Sequence, residues 1–127
     1  MSVARDYLDE WNEAVGNGFP QPSGPQKIFH RRMIMEECKE VKRELSKTVD
    51  RVALAKELAD LVYVVTDCAR TYDIDLDAVL QAVHASNMTK VKGGVKRSTN
   101  KWEQGKILKG PFYRSPNPYI AEIIHAS

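Results

Sequence analysis

Hydrophobic positions recur at helical spacing along most of the chain, and four segments stand out. The first runs from Val3 to Val15, with Ala4, Tyr7, Leu8, Trp11 and Val15 on one face. The stretch GNGFPQPSGPQ, dense in Gly and Pro, breaks the pattern. A second helix is predicted from about Gln26 to Ser46, with Pro25 suited to its first position. Its apolar stripe is Ile34, Cys38, Val41 and Leu45. Asp50 is the expected N-cap of a third helix ending near Tyr72, striped by Leu54, Leu58, Leu61 and Val65. Asp75 is the expected cap of a fourth, ending near Val91, with Leu76, Val79, Leu80 and Val83 on one side. From Lys92 onward the chain is turn-rich and basic, with room for a short hairpin or helical turn. The pattern predicts an all-α fold, an antiparallel helical bundle of about four helices with an irregular basic C-terminal segment, forming a single domain over 1–127. Helices two and three are apolar around much of their circumference, so a homodimer or homotetramer is expected.

Composition narrows the class. The chain has 127 residues, 43% hydrophobic and 28% charged, as globular domains do. No apolar run approaches a membrane span. The N-terminus carries acids where a signal peptide would be apolar, so a cytoplasmic protein is expected. Cys38 and Cys68 both fall on apolar helix faces and read as small hydrophobes. The net charge of +2 hides an asymmetry. Residues 1–89 hold 11 Lys+Arg and 15 Asp+Glu; residues 90–127 hold 8 and 2. A basic tail on an acidic body suits nucleic acid, or a flap over a polyphosphate. The total lies too near zero for a dedicated nucleic-acid binder.

The acids carry the chemistry. On a helical wheel Glu37 lies at the edge of the second stripe and Glu40 roughly 60° further round, while Glu36 points outward. Glu57 and Asp60 stand in the same relation to the third stripe, each 20 residues on. Two antiparallel helices would thus each present an i, i+3 carboxylate pair to a shared cleft. Four clustered carboxylates repel unless protonated or neutralised by a cation, and hard oxygen ligands suit Mg2+ or Mn2+. The alternative is two solvated faces, with Lys39, Lys42 and Arg43 supplying surface ion pairs. On the fourth helix the inward stripe continues to Asn87 and Lys90, an amide and an ammonium fit for a phosphate or a sugar hydroxyl. Lys90 equally complements the helix C-terminus.

Together these residues resemble a known superfamily. EECKE followed by ELAD fits the EExxE…ExxD pattern of the all-α nucleoside triphosphate pyrophosphohydrolases. These include MazG-like proteins, dimeric dUTPases and phosphoribosyl-ATP pyrophosphohydrolases. NMTK, Asn87 to Lys90, looks like the superfamily's N-x-x-K, and GKILKGPFY is similar to the C-terminal segment of MazG-like single-domain proteins. The resemblance covers roughly residues 27–113. It implies that Glu37, Glu40, Glu57 and Asp60 ligate Mg2+ and serve catalysis, with Asn87 and Lys90 near the phosphates or sugar. It implies Mg2+-dependent cleavage of a nucleoside triphosphate between its α- and β-phosphates. Lys106 and Lys109 would then neutralise the leaving pyrophosphate, on a segment whose glycines let it close as a lid. A non-catalytic nucleotide- or nucleic-acid-binding module using 90–114 is the competing reading.

Overall fold

A computed structural model describes residues 3–17 and 22–126. The Gly18–Gln21 part of the predicted first loop lies outside the described residues. The order is α1 (Val3–Ala14), α2 (Gly24–Leu45), α3 (Arg51–Thr71), α4 (Leu76–Lys90) and α5 (Asn117–Ala126). The chain divides into two compact units, Met1–Ile74 and Asp75–Ser127.

Local chemistry sets the helix ends. The Ser23 side chain accepts from the Gln26 amide, and Pro25 sits in the first turn of α2. Asp50 caps α3 by accepting from the amides of Val52 and Ala53 at 3.0 and 3.2 Å. Asp75 caps α4 through Ala78 N. The Asp50 and Asp75 caps fall where the sequence puts them, because a cap needs only its own neighbours; α2 starts at Gly24, two residues before the predicted Gln26.

In the first unit, α3 packs against both α1 and α2. α2 and α3 run antiparallel, His30 meeting Thr71 at one end of the seam and Glu37 meeting Asp60 further along. The seam differs from the predicted stripes. On α2 the inward positions are His30, Met33, Ile34, Glu37, Glu40, Val41 and Glu44, while Cys38 and Leu45 are exposed. On α3 Leu58 and Val62 are exposed, and Glu57, Asp60 and Leu61 turn inward. The carboxylates therefore lie within the helix interface, not beside it. Cys38 is not the buried hydrophobe expected; Cys68 is half-buried, and burial, with the charge of Asp67, pushes its thiol pKa up.

α1 is held by buried Leu8, by an edge-to-face contact of Trp11 with Tyr63, and by polar bonds. Leu8 is 1% exposed. Asn12 Nδ2 donates to Leu8 O and to Asp67 Oδ1, both at 2.8 Å. Buried Arg70 donates from Nε to Asp9 Oδ1 at 2.7 Å, which holds the Asp9 carboxyl below its ordinary pKa. Such pairing is what allows a guanidinium to be buried.

In the second unit α4 packs on α5. Ser86 Oγ donates to Arg114 O at 2.7 Å, and Thr89 Oγ1 accepts from Arg114 N at 2.9 Å, tying the incoming chain to α4. The predicted C-terminal irregularity is only partly present. An antiparallel bridge joins Arg97 to Ile107, the short hairpin expected, but Asn117–Ala126 is a fifth helix. Its signal was Pro118 in a first turn followed by Ile120 and Ile123 at helical spacing. Gly93 has φ 86°, and a Cβ there would meet Phe112 at 2.9 Å. A Cβ on Gly110 would lie 3.1 Å from Lys90 O. These two glycines serve a left-handed turn and close packing, not the looseness expected of a lid.

Candidate metal centre

Glu37 on α2 and Glu57 and Asp60 on α3 converge. One carboxylate oxygen from each lies within 4.8 Å of the others, and all three side chains are half-buried. The reason is helical register. Glu57 and Asp60 share a face of α3 one turn apart, and antiparallel packing brings Glu37 across from them.

Charge crowding shows in the protonation equilibria. The Glu37 pKa is raised, first by desolvation and then by the charges of Asp60, Glu57 and Glu36. Lys56 offsets part of this. Its ammonium lies 2.8 Å from Asp60 Oδ2 and 3.4 Å from Glu57 Oε1, and those contacts hold its pKa above the ordinary lysine value. Lys56 thus acts as an internal counter-cation at the cluster. Sequence reading passed over it, although its i, i+4 relation to Asp60 was visible.

Glu40 stands outside this trio. Both its oxygens accept from Arg43 Nη1, at 3.0 and 2.8 Å. Glu36 is exposed, as its outward position on the wheel predicts. Glu44, which received no role, has its Oε2 3.3 Å from Lys47 Nζ, while its Oε1 is buried without a hydrogen bond.

The other candidate residues belong to the second unit. Asn87 is exposed and Lys90 half-buried, one turn apart on α4. Lys106 Nζ lies 3.5 Å from Glu103 Oε1, and Lys109 Nζ stands 4.7 Å from the Tyr113 ring centroid, within cation–π range.

An all-oxygen set of three half-buried carboxylates, with one pKa raised by desolvation and by its neighbours' charges and a lysine drawn in, fits a hard divalent cation. The model of the phosphoribosyl-ATP pyrophosphohydrolase family matches residues 14–87, which contain all four acids and Asn87. The chain belongs to that family. The phosphoribosyl-ATP pyrophosphohydrolases lie within the MazG-like all-α superfamily that the motifs resemble. The protein is therefore a nucleotide pyrophosphohydrolase, a hydrolase of phosphoric anhydrides. No curated protein matches the chain. No helix among the described residues is long and apolar enough to cross a membrane.

Lys56→Ala tests the counter-cation. The metal-free variant should melt below wild type at low salt, and Mg2+ should raise its melting temperature by more than it raises that of wild type. Equal shifts by calorimetry would remove Lys56 from the cluster.

Proposed function

We propose that the protein is a Mg2+-dependent nucleoside triphosphate pyrophosphohydrolase that cleaves the α–β bond to give a nucleoside monophosphate and pyrophosphate. The convergence of Glu37, Glu57 and Asp60 carries this reading. These three would hold Mg2+, with Mn2+ as a substitute. When bound, the ion supplies charge neutralisation at the phosphate oxygens and a more acidic water. Glu40, outside the trio, orients the attacking water and takes its proton once it leaves Arg43. Asn87 and Lys90 bind the phosphates or sugar, and Lys106 and Lys109 take up the negative charge of the leaving pyrophosphate. Phosphoryl chemistry asks the chain mainly for this positioning and neutralisation.

The protein works in the cytoplasm as a homodimer or homotetramer. Leu58 and Val62, one turn apart on α3, are 45% and 54% exposed, an apolar surface that a second copy would cover. A concentration-independent monomer in light scattering would remove the oligomer.

A second substrate reading is phosphoribosyl-ATP itself, which the family match favours. One experiment addresses both. The protein is incubated with Mg2+ and a panel of nucleoside triphosphates plus phosphoribosyl-ATP, and products are resolved by chromatography. Monophosphate with pyrophosphate is expected. Diphosphate with phosphate would contradict the bond assignment, and no turnover of any nucleotide would favour a non-catalytic binding module. Lys106→Ala and Lys109→Ala should raise KM, lower kcat, or both; unchanged kinetics with weakened oligonucleotide binding would assign the basic segment to nucleic acid instead.

A further inference from the structure

A cavity apart from the carboxylate trio lies wholly within the first unit. It has a volume of about 290 Å3 and is lined by Asn12, Gln26, His30, Asp67, Thr71 and the buried Arg70, whose Nε is held by Asp9, with Phe29 at its rim. Its position is set by the same register that builds the carboxylate trio. His30 precedes Glu37 by seven residues on α2, and Asp67 follows Asp60 by seven on α3. Seven residues are two turns, about 10 Å along each axis, with almost no change of face. The cavity and the trio therefore lie on one α2–α3 seam, separated by a distance that a nucleotide spans from base to phosphates.

Its walls are unusually polar for the interior of a helical unit. Asn12, His30 and Thr71 are 5%, 5% and 4% exposed. Most of their hydrogen-bonding capacity is spent internally. His30 Nε2 and Thr71 Oγ1 are 2.9 Å apart, and Asn12 Nδ2 occupies Asp67 Oδ1. Two acceptors are left over. Gln26 Oε1 is buried with no hydrogen-bond partner among the described residues. Asp67 Oδ2 has His30 Nδ1 nearby at 3.9 Å, beyond hydrogen-bonding range. The buried Gln26 acceptor, left without a donor, costs about 1–3 kcal/mol, and the Asp67 oxygen is partly exposed to the cavity. Phe29, half-exposed at the rim, offers a flat face to a planar ligand.

We propose that this cavity is the base pocket of the same active cleft, and that it selects nucleotides whose base carries an exocyclic amino group. This rests on the nucleotide reading above. The chemistry follows from the two spare acceptors. An amino group brings two N–H donors, one for Asp67 Oδ2 and one for Gln26 Oε1. Uracil and thymine offer a single imide N–H flanked by two carbonyls, which would set oxygen against carboxylate. The volume sits at the low end for ligand pockets, room for a base with part of its sugar. The triphosphate is left outside, toward the acids.

The test compares kcat/KM for dCTP, dATP and dGTP with that for dUTP and dTTP. At least one amino-bearing substrate should exceed both others by about 100-fold or more, as when a site built for a donor meets an analogue lacking it. Asp67→Asn places an amide N–H where the carboxylate oxygen stood, and should reduce or invert that ratio. Gln26→Leu, on a helix end with no hydrogen bond at its Oε1, should also reduce it and keeps the test open if Asp67→Asn does not fold. A packing role alone would lower activity on all five equally. A ratio near one, a preference for dUTP or dTTP, or folded variants with the wild-type ratio would overturn the base pocket while leaving the hydrolase reading intact. If no nucleotide is hydrolysed, metal-free equilibrium dialysis of CMP, AMP, GMP, UMP and TMP decides: tighter binding of an amino-bearing monophosphate sustains the pocket, and equal or absent binding ends it.

Discussion

Glu37→Gln, Glu57→Gln and Asp60→Asn should each lower kcat by about 100-fold or more while leaving the far-ultraviolet helical spectrum unchanged. A divalent ion contributes several kcal/mol of charge stabilisation in phosphoryl transfer, and each 1.36 kcal/mol is a factor of ten in rate. Each substitution removes one of the three carboxylates that converge among the described residues. The effect on stability should run the other way. The Glu37 pKa is raised in the folded protein, so its ionised form is disfavoured there. That cost is fully present above the folded pKa and disappears below the ordinary value of 4.5. At pH 7 the metal-free Glu37→Gln protein should therefore melt above wild type. The gain should vanish on acidification through the range between the two values. Glu40→Gln should also lower kcat, yet keep the Mg2+-induced rise in melting temperature, because Glu40 lies outside the trio. Glu36→Gln should be mild. If three of the four substitutions at Glu37, Glu40, Glu57 and Asp60 kept wild-type turnover at saturating Mg2+, the cluster would not be the metal site.

Leu8→Ala should cost about 2–4 kcal/mol, the usual range for deleting a buried leucine side chain. For a chain of this size the melting temperature should fall by about 10 °C. Leu8 is the one large apolar side chain below 2% exposure among the described residues, and the other apolar contact of α1 with α3, Trp11 on Tyr63, involves half-exposed rings. The damage should spread to the α1–α3 bonds, since Asn12 donates to both Leu8 O and Asp67 Oδ1. Amide exchange along α1 should accelerate, and selectivity at the base pocket should weaken before the metal-dependent chemistry does. A melting shift smaller than about 3 °C would show that α1 is not docked through Leu8.

The helix caps at Asp50 and Asp75, the turn signal at Pro25 and the i, i+3 spacing of the acids were legible in the sequence because each depends on residues within a few positions of itself. The pairing of Glu37 with Asp60 followed from register, given two antiparallel helices. The inward faces could not be read the same way. α2 and α3 carry apolar residues around most of their circumference, so a wheel offers several plausible stripes. The choice is made by what lies across the seam, and here packing turns His30, Glu37, Asp60 and Asp67 inward and leaves Cys38, Leu45 and Leu58 exposed. Lys56 at the acids and Arg70 on Asp9 are likewise tertiary facts, because an ion pair depends on where two long side chains end in space. The sequence by itself determined the existence of α1 to α4, the capped starts of α3 and α4, and which chemistry these helices carry. Only the tertiary structure decided which carboxylates share a site and which polar residues line a cavity beside it, since burial is a property of facing surfaces and not of spacing along one chain.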